Sequence, residues 1–347
     1  MRAAVYRGAS RIEVEDLPVP AIGPGEVLVR VGACGVCGTD LKKIRLGLAP
    51  PPRVFGHETA GTIVRTGSSV SKWRAGDRVV VNHHVPCMAS GCYFCANRLY
   101  SQCPVYKRTG ATAGFEPAGG GFAEYVRVMD WCVDGGLIPV PGDSTFAEAA
   151  FVEPVNTCLK AIRMTSLSEN SVVLIIGLGP IGLLFTQLAR LEGAEIVASD
   201  RLETRLKLSE RFGAHAAQTE RTAMDTVLRL SDARGADLAI VAVDSADAVA
   251  FALQATRPGG GVLLFAHTHL GDPLPVDAGE ICMREKRLFG SYSSDPTLNA
   301  EAADLIFSKR LEVRPLISHN LPLERIEEGI RLASTPSDHS LKVIIEP

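Results

Sequence analysis

Val172-Val-Leu-Ile-Ile-Gly177-Leu-Gly179-Pro180-Ile181-Gly182 is an apolar run followed at once by Gly-x-Gly-x-x-Gly. Beyond it, Ile181, Leu184, Phe185, Leu188 and Ala189 recur at helical spacing, so the glycines are expected at a turn from a buried strand into a helix. That context is the fingerprint of a dinucleotide site. Gly177 would permit the tight turn, Gly179 the approach of a pyrophosphate to the backbone, and Gly182 close packing of helix on strand. The phosphates would meet the positive end of the helix, with Pro180 and Ile181 in its first turn. A second strand, Glu195 to Ser199, ends in Asp200, where a carboxylate can accept from ribose hydroxyls and repel a 2'-phosphate. This favours NAD. Arg201 follows directly and would welcome such a phosphate, which leaves NADP as the alternative, and Arg205 is a further candidate for cofactor contact. The plainer reading is a tight strand-to-helix connection without a ligand.

Working outward, residues from about 156 to 290 alternate short apolar runs with helical patterns, the texture of βαβ units on a parallel sheet. Val172 to Ile176, Glu195 to Ser199, Asp237 to Val243 and Gly261 to Ala266 are the expected strands. Residues 1 to about 155 show short alternating runs broken by Gly and Pro, such as Val27, Val29 and Val31, and read as an irregular all-β region. Gly119-Gly-Gly121 reads as a turn between two of its runs. Past about 291 come a helical pattern at Ala302, Leu305 and Ile306, a turn at Leu321-Pro322-Leu323 and a closing strand, Lys342 to Ile345. Local pattern leaves the membership of this tail open.

A chain of 347 residues has room for about two domains. Hydrophobic residues at 46% and charged residues at 22% exclude a disordered or fibrous chain. A net charge of -3 supplies no broad footprint for nucleic acid or anionic lipid. The longest apolar stretch, 172–185, is shorter than the roughly 20 residues a bilayer helix requires and contains glycines and Pro180. The N-terminus lacks the apolar segment of a secretory signal, so a cytoplasmic location is expected. Nine cysteines are too few for a disulfide scaffold, and in a reducing compartment a close cluster of them points to metal.

Two groups of ligand-type residues stand out. Cys87-x4-Cys92-x2-Cys95-x7-Cys103 offers four soft sulfurs and no open position, which describes a closed structural zinc site. The loop around them has little apolar material of its own, so metal would be the source of its order. The second group is dispersed: Cys37 in Cys-Gly-Thr-Asp, His57-Glu58 after Gly56, and Glu153 before Pro154. A mixed thiolate, imidazole and carboxylate set suits a catalytic zinc with a place for substrate. Taken singly, Cys37 reads equally as a small core residue, His57 as a buried histidine and the glutamates as surface charge. Cys34, Cys132, Cys158 and Cys282 lie in apolar contexts and read as packing residues. His83 and His84 adjoin the thiol loop with no metal role assigned, and Asn156 and Lys160 are loose candidates to face a substrate.

On these residues the chain resembles the zinc-dependent medium-chain dehydrogenases, in their polyol (sorbitol) dehydrogenase-like branch. Gly56-His57-Glu58-x2-Gly61-x5-Gly67-x2-Val70 matches the family's zinc signature, and Cys37-Gly-Thr-Asp40, Gly121-Phe-Ala-Glu-Tyr125 and Gly177-x-Gly-Pro-Ile-Gly182 occur in family order along the whole length. The resemblance implies an α/β protein, a Rossmann dinucleotide-binding domain (156–291) inserted in a mainly β GroES-like catalytic domain (1–155 plus 292–347). It implies one catalytic zinc on Cys37 and His57, with Glu153 as a ligand directly or through water and Glu58 as the alternative carboxylate. Asp40 would orient the histidine, and Thr39 would begin a proton relay. A second, structural zinc would sit on the four thiolates. The expected reaction is hydride transfer from a secondary alcohol, a polyol or sugar-like compound, to NAD, by a cytoplasmic homodimer or homotetramer whose partner is a small-molecule alcohol rather than nucleic acid or membrane.

Two departures from the family pattern stand in the chain. Lys42 occupies the place of a relay histidine, and the first interval of the thiol loop is x4 where x2 is usual. The rival readings are a threonine dehydrogenase or NADPH-linked aldehyde reductase of the same family, and a non-catalytic member that binds zinc and nucleotide without turnover.

Overall fold

The computed structural model describes residues 1–109, 119–266, 270–271, 273–337 and 339–347. The chain divides into two compact units. One comprises Met1–Asn156, Ser294–Pro336 and Ser340–Pro347, and the other Thr157–Ser293 and Ser337–His339.

The second unit is built on six parallel strands in the spatial order His215–Ala217, Glu195–Ser199, Val172–Ile176, Ala236–Val241, Thr256–Leu264, Arg287–Gly290. Counted from the first of them in the chain, this is the doubly wound order 3-2-1-4-5-6. Val172–Ile176 and Ala236–Val241 are central, with neighbours on both sides, which is why they read as unbroken apolar runs. The chain order reverses between them, and a ligand crevice belongs at that switch point. The helix Pro180–Leu191 buries Leu184, Phe185, Leu188 and Ala189 as expected, but Ile181 is only half-buried, and Leu183, Thr186 and Gln187 on the other faces are buried too.

Two sequence expectations need correction here. The fifth strand begins at Thr256 rather than Gly261, because Arg257-Pro-Gly-Gly-Gly261 is absorbed by a register shift opposite Ala236–Leu238 instead of forming a turn. Cys282 is not a packing residue: it is exposed on the short helix Ala278–Met283.

The first unit holds a seven-stranded sheet in which Val27–Gly35 is flanked by Lys342–Glu346 and Glu58–Thr66. Ile317–Pro322 forms one edge, parallel to Lys342–Glu346. Leu321-Pro322 therefore ends a strand rather than forming the expected turn, and Pro322 is tolerated because the edge position demands no ladder donor from it. The region is not all β. Gly38–Leu46, Asp130–Gly136 and Val152–Arg163 are helices. The first escapes pattern reading because it is only nine residues long and its buried residues are Asp40 and Ile44, an acid and a single aliphatic.

Candidate functional site

The strand Val27–Gly35 delivers the chain to Cys37, which caps the helix Gly38–Leu46. Asp40, in the first turn, is fully buried and turns back, with its Oδ2 accepting from the Cys37 N–H at 3.4 Å. Its Oδ1 lies 3.2 Å from His57 Nδ1. That contact fixes the ring and leaves Nε2, the other ring nitrogen, as the atom able to ligate a metal. Gly56 precedes His57 at φ +99°, and a Cβ there would stand 2.7 Å from Cys34 Sγ and 2.8 Å from the Phe122 nitrogen, so only glycine brings the chain in. Glu58 opens the next strand and pairs with Gly35. A side chain at Gly35 would collide with the Glu58 carboxylate, whose place depends on that glycine.

Cys37, His57 and Glu58 each offer one donor atom, and the three atoms all lie within 4.8 Å of one another. Burial disfavours a charged imidazole at His57, yet Asp40 and Cys37 outweigh it and hold the pKa well above the ordinary histidine value. A pocket that draws positive charge this strongly, built from thiolate, imidazole and carboxylate, fits a divalent cation such as zinc. Lys342 partly balances it: its Nζ donates to both Glu58 oxygens, at 2.7 and 2.6 Å, and to the Val36 carbonyl at 3.3 Å.

Glu153 is not in this compact set. It is buried in the first turn of Val152–Arg163, with Oε1 3.4 Å from His84 Nδ1. Burial pushes its carboxyl up to about 7, against the pull of His57. The His84 ring stacks on Tyr106 at 5.3 Å and meets His57 edge-on at 5.9 Å. Thr39 and Lys42 are half-buried on the helix that Cys37 caps.

Asn156 does not face a substrate as expected. Its Nδ2 donates to the Asp295 carbonyl and to Asn299 Oδ1, both at 2.8 Å, and its Oδ1 accepts from the Asp295 N–H. Asn82 joins at Asn299 Oδ1 (3.0 Å) and accepts from the His84 N–H (2.9 Å), so one amide cluster ties the His84 loop to the helix bearing Glu153. Lys160 donates to the Tyr292 carbonyl at 2.8 Å. Sequence reasoning missed this cluster and Lys342. For Lys342 a signal existed: it is the one charged residue in Leu341-Lys-Val-Ile-Ile345, where an inward apolar side chain is expected.

The four thiols of the loop do converge, again within 4.8 Å. Cys87 Sγ is 3.7 Å from Cys95 Sγ and 3.6 Å from Cys103 Sγ. Zinc-sulfur bonds of about 2.3 Å in a tetrahedron give edges of about 3.8 Å, so the spacing fits zinc. The two extra residues between Cys87 and Cys92 are taken up by a turn, with Met88 at φ +51° and the Cys92 N–H on the Ala89 carbonyl. Backbone N–H groups of Cys87, Tyr106 and Val105 overcome burial and bring Cys103 down to about 6, whereas burial pushes Cys95 up to about 12, so without a cation the four thiols do not all favour the thiolate.

In the second unit, Gly177 (φ +92°) makes the predicted turn, and a Cβ on Gly182 would lie 1.8 Å from the Gly177 oxygen. Above Gly179 the nearest atom is Arg205 Nη1 at 4.0 Å, and Pro180 begins the helix, so a phosphate has open access to the helix end. Asp200 Oδ2 accepts from the Leu178 N–H at 2.7 Å and Oδ1 from Leu202 at 2.9 Å, with Arg205 Nη1 3.7 Å away. The carboxylate thus braces the glycine turn itself. Arg201 is exposed.

Residues 23–141 match the alcohol dehydrogenase GroES-like domain, and residues 180–308 the zinc-binding dehydrogenase domain. The sorbitol dehydrogenase of Bacillus subtilis is 29% identical over 100% of this chain and 97% of its own. The L-threonine 3-dehydrogenase of Symbiobacterium thermophilum is 31% identical over 96% and 94%. A zinc-binding dehydrogenase from Sinorhizobium meliloti, solved with NADP, superposes with a TM-score of 0.87 at 30% identity over 100% of this chain and 99% of that one.

Proposed function

The chain belongs to the zinc-dependent medium-chain dehydrogenases, in their sorbitol dehydrogenase-like branch, and on that premise we propose that it oxidises a secondary alcohol of polyol or sugar type with NAD. The observation that carries the reading is the convergence of Cys37, His57 and Glu58 within 4.8 Å. When bound there, zinc supplies a Lewis acid that lowers the pKa of a substrate hydroxyl, and the nicotinamide accepts the hydride from its carbon.

The chain's own residues do the rest. Cys37, His57 and Glu58 hold the metal, and Asp40 fixes the His57 ring. Lys342 pairs with both oxygens of Glu58 and limits its freedom. Glu153, standing apart against His84, acts through water rather than as a direct ligand. Thr39, beside Cys37 on the helix, begins the proton relay: its hydroxyl would accept the proton leaving the substrate while passing its own on to the cofactor ribose. Gly177, Gly179 and Gly182 cradle the cofactor phosphates with Pro180 and Ile181, and the Asp200 carboxylate at the strand end favours NAD by opposing a 2'-phosphate. Cys87, Cys92, Cys95 and Cys103 hold a second zinc that orders their loop. Nine cysteines with no disulfide among them and near-neutral charge support a reducing, cytoplasmic setting and a small-molecule partner, and the family premise supports a homodimer or homotetramer.

The test is zinc content per chain and cofactor reduction against a panel of polyols, sugars and threonine, in wild type and Cys37→Ser. Two zincs falling to one with loss of turnover is the expected result. One zinc that survives the substitution, with no alcohol oxidised, overturns the reading.

A further inference from the structure

Lys43 lies one turn beyond Asp40 on the helix Gly38–Leu46, and the two therefore share a face with buried Ile44. Its side chain is half-buried, and among the described residues its ammonium has neither a hydrogen bond nor an ion pair. Burial pulls its pKa below the ordinary lysine value, and the charges of Asp40 and Cys37 only partly offset this, while Arg53 adds like charge. The same ammonium is felt at His84, whose ring meets His57. Lys43 is thus, among the described residues, an unpaired cation in electrostatic reach of Cys37, Asp40 and His84. Withdrawing an ammonium from water without a partner is costly, and among the described residues Asp40 and Cys37 recover only part of that cost, without a hydrogen bond or ion pair. The buried lysines among the described residues differ: Lys342 is paired with Glu58, and Lys286 with Glu280 and the Leu253 carbonyl.

We propose that Lys43 is a specificity-determining residue that receives an anionic group on the substrate, so that the preferred alcohol carries a phosphate or carboxylate besides the hydroxyl that is oxidised. The proposal rests on the alcohol-oxidising reading above. A neutral polyol gains nothing from a bare ammonium, whereas an anion gains a charge-assisted hydrogen bond in a partly desolvated place. The flexible, point-like lysine suits an anion held at variable distance from the reacting carbon.

The experiment uses the full zinc-loaded protein with sorbitol, sorbitol 6-phosphate and gluconate as alcohols, and wild type, Lys43→Met and Lys43→Arg as variants. The expected result is kcat/KM at least about tenfold higher for one anionic alcohol than for sorbitol. That ratio falls about tenfold or more in Lys43→Met, mainly through KM, and recovers in Lys43→Arg. The phosphate and carboxylate arms identify the anion. Calorimetric titration of inorganic phosphate and of acetate, without cofactor, gives a readout independent of turnover: one of them binds wild type and is weakened in Lys43→Met. Preference for sorbitol, an unchanged ratio in Lys43→Met, or an effect confined to the KM for NAD overturns the proposal. If no alcohol is oxidised, the alcohol-oxidising reading fails, and the anion titration still decides for or against the ammonium as an anion receptor.

Discussion

Lys342 grips both carboxylate oxygens of Glu58 across 284 residues of chain. Sheet register explains how. Ile344 pairs with Gly35 in an antiparallel ladder, and continuing that register sets Lys342 level with Cys37, while Gly35 itself pairs with Glu58. The cation is thereby fixed behind the carboxylate proposed above to hold the metal, and both groups are buried.

Lys342→Met leaves the Glu58 charge buried without its partner, which costs about 3 kcal/mol or more of stability. Urea denaturation of the zinc-loaded protein reads this as a lower midpoint at similar slope. The double variant Lys342→Met/Glu58→Gln recovers part of the loss, since it removes the stranded charge as well.

Asp40→Ala removes the acceptor that orients His57. Zinc affinity at the Cys37 site falls about 10- to 100-fold, while the four-thiol site keeps its metal. Chelator competition with zinc counted per chain shows one easily stripped ion and one retained ion. Equal loss from both sites would contradict a local role for Asp40.

Glu26 carries a pH-dependent share of stability. Burial opposes its charge, but the Arg127 guanidinium, bound at 2.7 and 2.6 Å, and the Gly23 N–H hold its pKa below the usual carboxylate range. Because the folded pKa is the lower one, this contribution is fully present above about pH 4.3 and is lost as pH falls through the folded value. Glu26→Gln costs about 2 kcal/mol at neutral pH and flattens the acid limb of a stability-versus-pH curve.

On the proposed function Asp200 has two duties, since its oxygens brace Leu178 and Leu202 at the strand end where the ribose is expected. Asp200→Asn keeps an acceptor for one N–H and removes the charge that repels a 2'-phosphate. The ratio of kcat/KM for NAD over NADP falls about tenfold or more, with little change in melting temperature. Asp200→Ala loses both duties, and NAD binding and stability of the glycine turn decline together.

The dinucleotide half was legible because its signals are local. A strand, three glycines and an acid within thirty residues or so define a turn whose geometry follows from backbone sterics alone, and the four cysteines likewise sit inside a single loop. The dispersed site was only half legible. Cys37, His57 and two glutamates were visible as ligand types, but nothing in their spacing says that Glu58 joins the other two while Glu153 faces His84. Asn156 misled for the same reason: its partners Asp295 and Asn299 are about 140 residues away, and an exposed helix position has the same local pattern.

By itself, then, the sequence determined the glycine turn, the thiol cluster and the set of side chains capable of holding a metal, because periodicity and short spacing report neighbours that covalent geometry already holds close. Tertiary structure decided which carboxylate meets Cys37 and His57, which lysine is spent on Glu58 and which is left unpaired. Those choices depend on strand register and on segments brought together only when the sheet closes, where a shift of one residue would turn Glu58 or Lys342 to the opposite face.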